Sequence, residues 1–305
     1  MTPAPSRSWL PLAAVALTLV LWASAFVAIR HLGRDFSPGA LSLGRLLVGA
    51  ACLAVMALGR GGPRPSRADL GTLVVIGVLW FGVYNVALNE GERRVDAGTA
   101  AMLIQISPVL IALMAALFLS ERFTIYLALG LGLAFSGVAV IAFSTSPGGN
   151  NDVVGVLLCL LSAVVYSISL ILQKPLVGRL PAVQVTRLAC TVGAIVCLPF
   201  AGQLVSETAA APTASLWWLV YLGVFPTALA FTTYAYALGR MDASRLGVTT
   251  YLVPPITIVL GLVLLGEAPP ALAYAGGVLA LVGVAVARRR SPVPDPVAVS
   301  SSAPR

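Results

Sequence analysis

The candidate ligand-contacting side chains of this sequence are aromatic rings and amides placed inside long apolar runs. Trp80 and Tyr84 are four residues apart, so they share one face of a helix, and Asn85 follows directly. Amide and phenol groups deep in an apolar segment need hydrogen-bonding partners, which a water-filled cavity would supply. The same reasoning predicts cavity-lining, substrate-binding roles for a further set: Trp22, Gln105, Tyr166, Tyr234 and Tyr251. The alternatives are a belt at a membrane interface and ordinary packing.

Arg45 and Arg187 are the cationic residues that lie well inside apolar runs. A guanidinium there can anchor a substrate carboxylate through bidentate hydrogen bonds. The alternative is an arginine whose head group reaches the nearer membrane surface, because each lies only six or seven residues after a proline, Pro181 or Pro38. Both residues are therefore candidate substrate-binding residues, and a purely structural role at the membrane surface remains the alternative.

Catalytic, metal-binding and cofactor-binding constellations are not predicted. His31 is the only histidine and Lys174 the only lysine, and no G-x-x-x-x-G-K loop precedes it, so ATP hydrolysis is not expected. An enzyme embedded in a membrane would need paired acids, a His/Asp pair or a metal cluster. The four cysteines lie in apolar runs and are predicted to be small packing residues: Cys52, Cys159, Cys190 and Cys197.

Composition places these residues in a membrane protein. The chain has 305 residues, of which 59% are hydrophobic and 10% charged, with a mean hydropathy of +0.96. A soluble domain carries about 25% charged residues, so lipid is the solvent that accepts this chain. Runs of about 20 apolar residues cross the hydrocarbon core. Ten such runs predict ten transmembrane helices, none with a carboxylate: 10–29, 38–58, 70–88, 98–119, 124–143, 153–172, 183–203, 216–238, 246–266 and 270–287.

The net charge of +8 reflects membrane topology rather than nucleic-acid binding. With the N-terminus inside, 13 Lys and Arg residues fall on the inner side and four in the outer loops. Cytoplasmic loops carry an excess of these residues. The distribution predicts a multi-pass protein of a bacterial-type cytoplasmic (inner) membrane with both termini in the cytoplasm.

The spans form an internal repeat. Glu267 follows Glu121 by 146 residues, and Gly283 follows Gly137 by the same interval. The pattern predicts two five-helix units, residues 1–148 and 149–290, and a disordered cytoplasmic tail at 291–305 that is rich in Pro and Ser. Because five is odd, the second unit is inserted upside down. Inverted repeats usually serve alternating access, with a substrate site between the halves.

Several residues are predicted to shape these units. Glu121 and Glu267 precede helices and are expected to cap tight hairpins, since a carboxylate is favoured at a helix N-terminus. Pro108 and the pair Pro254 and Pro255 are expected to bend their helices. Gly137 and Gly283 give smooth helix faces, which suit packing within the chain or the contact of a homo-oligomer.

The sequence resembles a known family. "FLSERFTIYLALGLGLAFSGVAVI" and "LLGEAPPALAYAGGVLALVGVAV" are similar to the end of the EamA-type unit of the drug/metabolite transporter superfamily, and "LWASAFVAIRHL" and "AAMLIQISPVLIALMAALFLSE" are similar to its first and fourth helices. The resemblance implies a ten-helix carrier, commonly an exporter of amino acids or related metabolites. The aromatic candidates favour aromatic or bulky neutral amino acids as substrates. Export of other metabolites or drugs by proton antiport, and a channel or membrane-embedded enzyme, remain the alternatives.

Overall fold

The architecture is helical throughout the described residues of the computed structural model, which are 9–59, 62–118, 125–144, 153–241 and 243–287. This agrees with the requirement that backbone groups in lipid be paired within their own segment. The helices are α1 (Leu10–Leu32), α2 (Pro38–Ala57), α3 (Arg67–Arg94), α4 (Ala97–Ile104), α5 (Ser107–Phe118), α6 (Ile125–Ser144), α7 (Val153–Val177), α8 (Ala182–Val196), α9 (Leu198–Ala210), α10 (Thr213–Leu238), α11 (Ala243–Thr249), α12 (Val253–Leu265) and α13 (Ala271–Ala287).

Among the described helices, α1, α2, α3, α7 and α10 are each long and apolar enough to cross a bilayer. The helices α8 and α9 meet at a bend of 53° and together pass the same test as one broken span. Shorter apolar helical stretches cover 97–111, 128–141, 250–265 and 271–283. Large apolar side chains such as Val20, Leu157 and Val263 are exposed on the outside, as lipid-facing positions should be.

The helix α3 is longer than the predicted span 70–88. Its start is set by a capping box, in which Ser66 Oγ accepts from the Asp69 N–H at 3.1 Å and Asp69 Oδ2 accepts from the Ser66 N–H at 2.9 Å. The helix then continues to Arg94. The helix therefore carries carboxylates near both of its ends, Asp69 and then Glu90 and Glu92, because the charged residues after position 88 extend the helix instead of forming a loop.

Two helices carry a π-helical segment at matching positions. The segments are Gly77–Val83 in α3 and Gly223–Leu229 in α10, and their first residues are 146 apart. A π-helical turn frees backbone carbonyls from their usual partners. In α3 the Asn85 side chain donates to the carbonyls of Phe81 at 2.8 Å and Trp80 at 3.2 Å, which compensates for this loss.

Two predicted spans are interrupted before a proline. The predicted span 98–119 divides at Gln105 and Ile106, ahead of Pro108, and 3₁₀-type bonds replace the helical pattern there. The predicted span 246–266 divides at the 3₁₀ turn Thr250–Leu252, ahead of Pro254 and Pro255. Proline has no N–H to donate, so the helix restarts at each point.

The helices α6 and α13 pack against each other through glycines. A Cβ on Gly137 would lie 2.5 Å from the Ala280 nitrogen, and a Cβ on Gly276 would lie 2.7 Å from the Gly137 oxygen. Gly283 makes a similarly close approach to Ala134. The structure thus uses this glycine face within the chain.

Candidate substrate cavity

A cavity lies where α1, α2, α3, α7 and α10 meet the interrupted helices. Its volume is about 50 Å³, which accommodates a few water molecules, since one water needs about 10–15 Å³ by this measure. Polar side chains in the wall are Arg45, Gln105 and Thr250. Aromatic side chains supply much of the remaining wall: Trp22, Trp80, Tyr84, Tyr166 and Phe231.

The aromatic wall is a contiguous cluster. The ring centroid of Trp80 lies 5.2 Å from that of Tyr166 and 5.1 Å from that of Phe231. Trp22 contacts Phe231 at 5.5 Å in an edge-to-face arrangement. Such pairs contribute about 0.5–1.5 kcal/mol beyond the burial of their area. The rings come from α1, α3, α7 and α10, so the cluster ties both halves of the chain to one site.

Local backbone structure positions Trp80. The residue lies within the π-helical segment Gly77–Val83, where the phase of the helix changes. Its neighbour Gly77 allows α3 to approach α8, because a Cβ there would meet Val192 Cβ at 2.5 Å. The close packing and the Asn85 hydrogen bonds together hold the indole at the cavity.

Arg45 reaches the cavity from α2 and is almost fully buried. Its Nε donates to Thr227 Oγ1 at 3.0 Å, and Thr227 donates in turn to the Leu222 carbonyl at 2.8 Å. Thr227 belongs to the π-helical segment of α10. The close contact with α2 depends on Gly49, where a Cβ would lie 2.9 Å from Thr227 Cγ2. Arg45 is thereby held as a cation in the cavity wall, where it can bind a carboxylate.

Gln105 and Thr250 connect the two interrupted helices. Thr250 Oγ1 donates to Gln105 Oε1 at 3.1 Å, and both side chains line the cavity. Both residues also lie where regular helical hydrogen bonding stops. The cavity is therefore bordered by backbone that is less constrained than a continuous helix.

Other predicted site residues lie outside this cavity wall. Tyr234 is behind it, where its hydroxyl is 2.6 Å from that of Tyr166. Asn85 satisfies the π-helical carbonyls described above. Tyr251 packs near Val109 and Ala134. Arg187 lines a second cavity.

The prediction of helix caps at the two hairpin glutamates can be compared with the structure at Glu267 only. Glu267 was predicted to cap a helix, but its carboxylate pairs with Arg30 Nε at 2.9 and 3.2 Å. The helix α13 begins only at Ala271, after Pro269 and Pro270, so Glu267 is too far upstream to occupy the cap position. Glu121 lies outside the described residues, as does the predicted tail 291–305.

Glu92 is a residue that the sequence reasoning missed. It is 0% exposed, and neither carboxylate oxygen has a hydrogen-bond partner among the described residues. Arg30 Nη1 donates to its backbone carbonyl at 2.9 Å. Glu92 follows Leu88 by four residues and Tyr84 by eight, so the helical spacing of two cavity residues could have identified it.

Metal and disulfide chemistry is not seen in the described part of the chain. No group of three or more His, Cys, Asp or Glu side chains is arranged to hold a metal ion there. The four cysteines are free thiols in this structure.

Comparison with known proteins identifies the family. The model of the EamA-like transporter family matches residues 9–143 and 153–289. A protein of Streptantibioticus cattleyicolor named a probable terminal-alkyne amino-acid exporter is 40% identical, over 91% of this chain and 93% of its own. A probable amino-acid metabolite efflux pump of Salmonella typhimurium is 28% identical, over 88% of this chain and 91% of its own.

A solved crystal structure also has this fold. It superposes with a TM-score of 0.62 at 21% identity and covers 93% of this chain and 98% of its own. At that identity the likeness concerns the fold alone. The two family matches and the 40% identical relative show that this chain belongs to the EamA-like transporter family and is a multi-pass membrane transporter.

Proposed function

We propose that this protein exports amino acids with aromatic or bulky neutral side chains by alternating access, without catalysing a reaction. The observation that carries the proposal is the cavity whose wall combines the side chain of Arg45 with a cluster of aromatic rings. The carboxylate of the substrate would bind Arg45, and its side chain would pack against Trp80, Tyr84 and Phe231. The amino-acid exporter names of two relatives support this substrate class.

The proposed scaffold has ten transmembrane helices in two inverted repeats, residues 1–148 and 149–290. Each interrupted pair of helices then counts as one crossing. Equivalent contacts in the two units support this arrangement: Arg30 Nη1 donates to the Glu92 carbonyl, and Lys174 Nζ donates to the Leu238 carbonyl at 2.5 Å. Both contacts join the end of the first helix of a unit to the end of its third.

The orientation proposed from the Lys and Arg distribution puts both termini in the cytoplasm of a bacterial-type cell, with the protein in the inner membrane. The ion pair of Arg30 with Glu267 then lies on the outer side, and the Lys174 contact lies on the inner side. The glycine face of Gly137 is used within the chain, so the proposed mechanism needs no homo-oligomer.

Transport requires the cavity to widen. Ligand sites typically have volumes of about 300–1,000 Å³, whereas this cavity has about 50 Å³. The helix interruptions at Gln105 and at Thr250–Leu252 border the cavity and are the natural hinges, because hinge motions concentrate at element ends. Opening toward either side at these points would alternately expose Arg45.

The second candidate is export of other metabolites or drugs by proton antiport. The observation that favours it is Glu92, a buried carboxylate whose oxygens lack partners among the described residues. Buried acids in transmembrane helices commonly belong to proton relays. A channel or a membrane-embedded enzyme has no comparable support from the geometry of the site.

Transport into proteoliposomes tests the proposal. Vesicles containing the purified protein should exchange radiolabelled L-phenylalanine, with other amino acids as competitors and with a pH gradient imposed or absent. Acceleration by the gradient would favour antiport over facilitated export. Absence of substrate-dependent flux across the amino acids would count against the amino-acid assignment.

A matched pair of aromatic variants tests the site. Tyr84→Ala should lower kcat/KM for L-phenylalanine about ten-fold, which corresponds to about 1.4 kcal/mol, close to the upper value of one aromatic contact. Trp217→Ala removes an aromatic side chain that is 70% exposed and outside the cavity, so its kcat/KM should equal that of the wild type. Equal values for both variants would rule out the aromatic wall as the substrate site.

A further inference from the structure

A second cavity lies between the first half of α8 and the end of α10. Its volume is about 540 Å³, within the range of about 300–1,000 Å³ that is typical of ligand sites. The remaining wall comes from the end of α2 and from the turn between α7 and α8. The apolar side chains Val177, Leu180 and Val183 line one part of it.

The charge of this cavity is positive. Arg187 and Arg240 line it, and no Asp or Glu is present among its described lining residues. The Arg240 guanidinium is held 3.6 Å above the ring of Tyr236, and its Nη1 donates to the Tyr236 carbonyl at 3.1 Å. A cleft lined by one sign of charge attracts the opposite ion, so the cavity suits an anionic group.

Three polar groups in the wall are buried and have no hydrogen-bond partner among the described residues: Arg187 Nε, Thr232 Oγ1 and Gln184 Oε1. Leaving such a group unsatisfied is unfavourable. Thr232 is only 8% exposed, yet its hydroxyl does not use the backbone bond that its neighbour Thr233 makes to the Leu229 carbonyl at 3.0 Å. A polar ligand bound beside them would supply the partners that these groups lack.

The three groups match the ends of an amino-acid zwitterion. Arg187 and Thr232 can donate to a carboxylate, and Gln184 Oε1 can accept from an ammonium group. Gln184 is fixed because its Nε2 donates to the Pro63 carbonyl at 3.2 Å. It also lies three residues before Arg187, on the same face of α8. The apolar wall remains for the substrate side chain.

We infer that this cavity is a second substrate site, which binds the carboxylate of a free amino acid at Arg187 and Thr232 and its ammonium group at Gln184. The inference rests on the proposed export function and extends it. Arg187 is the counterpart of Arg45 in the other repeat, 142 residues later, but the two face different cavities. In the proposed orientation the second cavity is at the cytoplasmic end, so it loads substrate that then moves to Arg45.

Equilibrium binding to the purified protein in phosphatidylcholine nanodiscs tests the inference. Radiolabelled L-phenylalanine should bind at two sites per chain. Arg187→Gln should weaken one site about 10–100-fold, because the charge-assisted hydrogen bonds of the guanidinium to the carboxylate are lost. Arg34→Gln, which changes an exposed arginine outside both cavities, should retain both sites.

Ligand analogues identify the chemistry of the site. L-phenylalaninamide, which has no carboxylate, should not compete at the site that Arg187→Gln affects, whereas 3-phenylpropionate should compete. Nanodiscs containing phosphatidylglycerol, whose headgroup has a net negative charge that phosphatidylcholine lacks, test an anionic lipid as the source of the anion. Loss of amino-acid binding at this site in those nanodiscs would show that a lipid headgroup occupies it and would overturn the inference.

The remaining outcomes are distinguishable. Two intact sites in Arg187→Gln, with L-phenylalanine flux retained, would overturn the second site and leave the export proposal standing. A second outcome is that no amino acid is transported, while 3-phenylpropionate binds to the wild type but not to Arg187→Gln. That outcome would overturn amino-acid export but support the carboxylate site. If Arg187→Gln does not fold, Thr232→Val removes one donor with little change of shape, and it should weaken the same site several-fold; unchanged binding would overturn the inference.

Discussion

The contact between α6 and α13 allows a quantitative test with two glycines of the same helix. Gly137 faces α13, where a new Cβ would lie 2.5 Å from the Ala280 nitrogen and 2.6 Å from the Gly276 oxygen. These are backbone atoms of another helix, so no side-chain rotation can relieve the clash. At Gly132 a new Cβ would have no atom of the described neighbouring residues within 4 Å. Alanine at the two positions should therefore have opposite effects.

The magnitude follows from two terms. Alanine within a helix is favoured over glycine by about 0.5–1 kcal/mol, and this term applies to both variants. Forcing an extra methyl group into a packed interface costs about 1–3 kcal/mol, occasionally more, and this term applies to Gly137→Ala alone. Since separating two helices loses further contacts, we expect the free energies of unfolding of the two variants to differ by about 2–3 kcal/mol.

Thermal unfolding of the purified protein in detergent, followed by tryptophan fluorescence, measures this difference. Gly132→Ala should have the Tm of the wild type or a slightly higher one. Gly137→Ala should have a Tm about 4–12 °C below that of Gly132→Ala, if each kcal/mol of this difference shifts the Tm by about 2–4 °C. The same Tm in both variants would refute the close α6–α13 contact. Size-exclusion profiles of both variants serve as the control for aggregation.

Three further predictions concern the cavity and its surroundings. Glu92→Gln should retain or raise the Tm, because it removes an acid whose oxygens lack partners in the described structure. The same variant should abolish any dependence of flux on a pH gradient. A markedly lower Tm would instead show that the carboxylate stabilises the protein. Asn85→Leu should lower the free energy of unfolding by about 1–3 kcal/mol, because two π-helical carbonyls lose their donor. Urea titration measures this free energy, and an unchanged free energy of unfolding would mean that the carbonyls find other partners. Tyr166→Phe removes the 2.6 Å contact with the buried Tyr234 hydroxyl and should cost about 1–3 kcal/mol, because that hydroxyl loses its partner. The same titration can test this against Tyr126→Phe as a control on a different helix.

Residue types and their one-dimensional spacing determined the class of this protein. The shortage of charged residues and the long apolar runs identified a multi-pass helical membrane protein, because lipid admits little else. The motifs that occur twice identified the family, which the comparisons confirmed. The aromatic candidates Trp22, Trp80 and Tyr166 could be found because polar or bulky aromatic groups stand out in an apolar helix.

Only the tertiary structure decided how individual side chains are used. A π-helical turn contains an extra residue and changes the face that later residues present, so Asn85 turns to backbone carbonyls although it adjoins Tyr84. Arg45 and Arg187 look equivalent in the sequence, yet they line different cavities. Glu92 resembled a loop residue because its neighbours are charged, and its burial depends on packing by other helices. The direction in which a side chain points within a helical bundle depends on such long-range contacts. Hydropathy and residue spacing carry no information about those contacts.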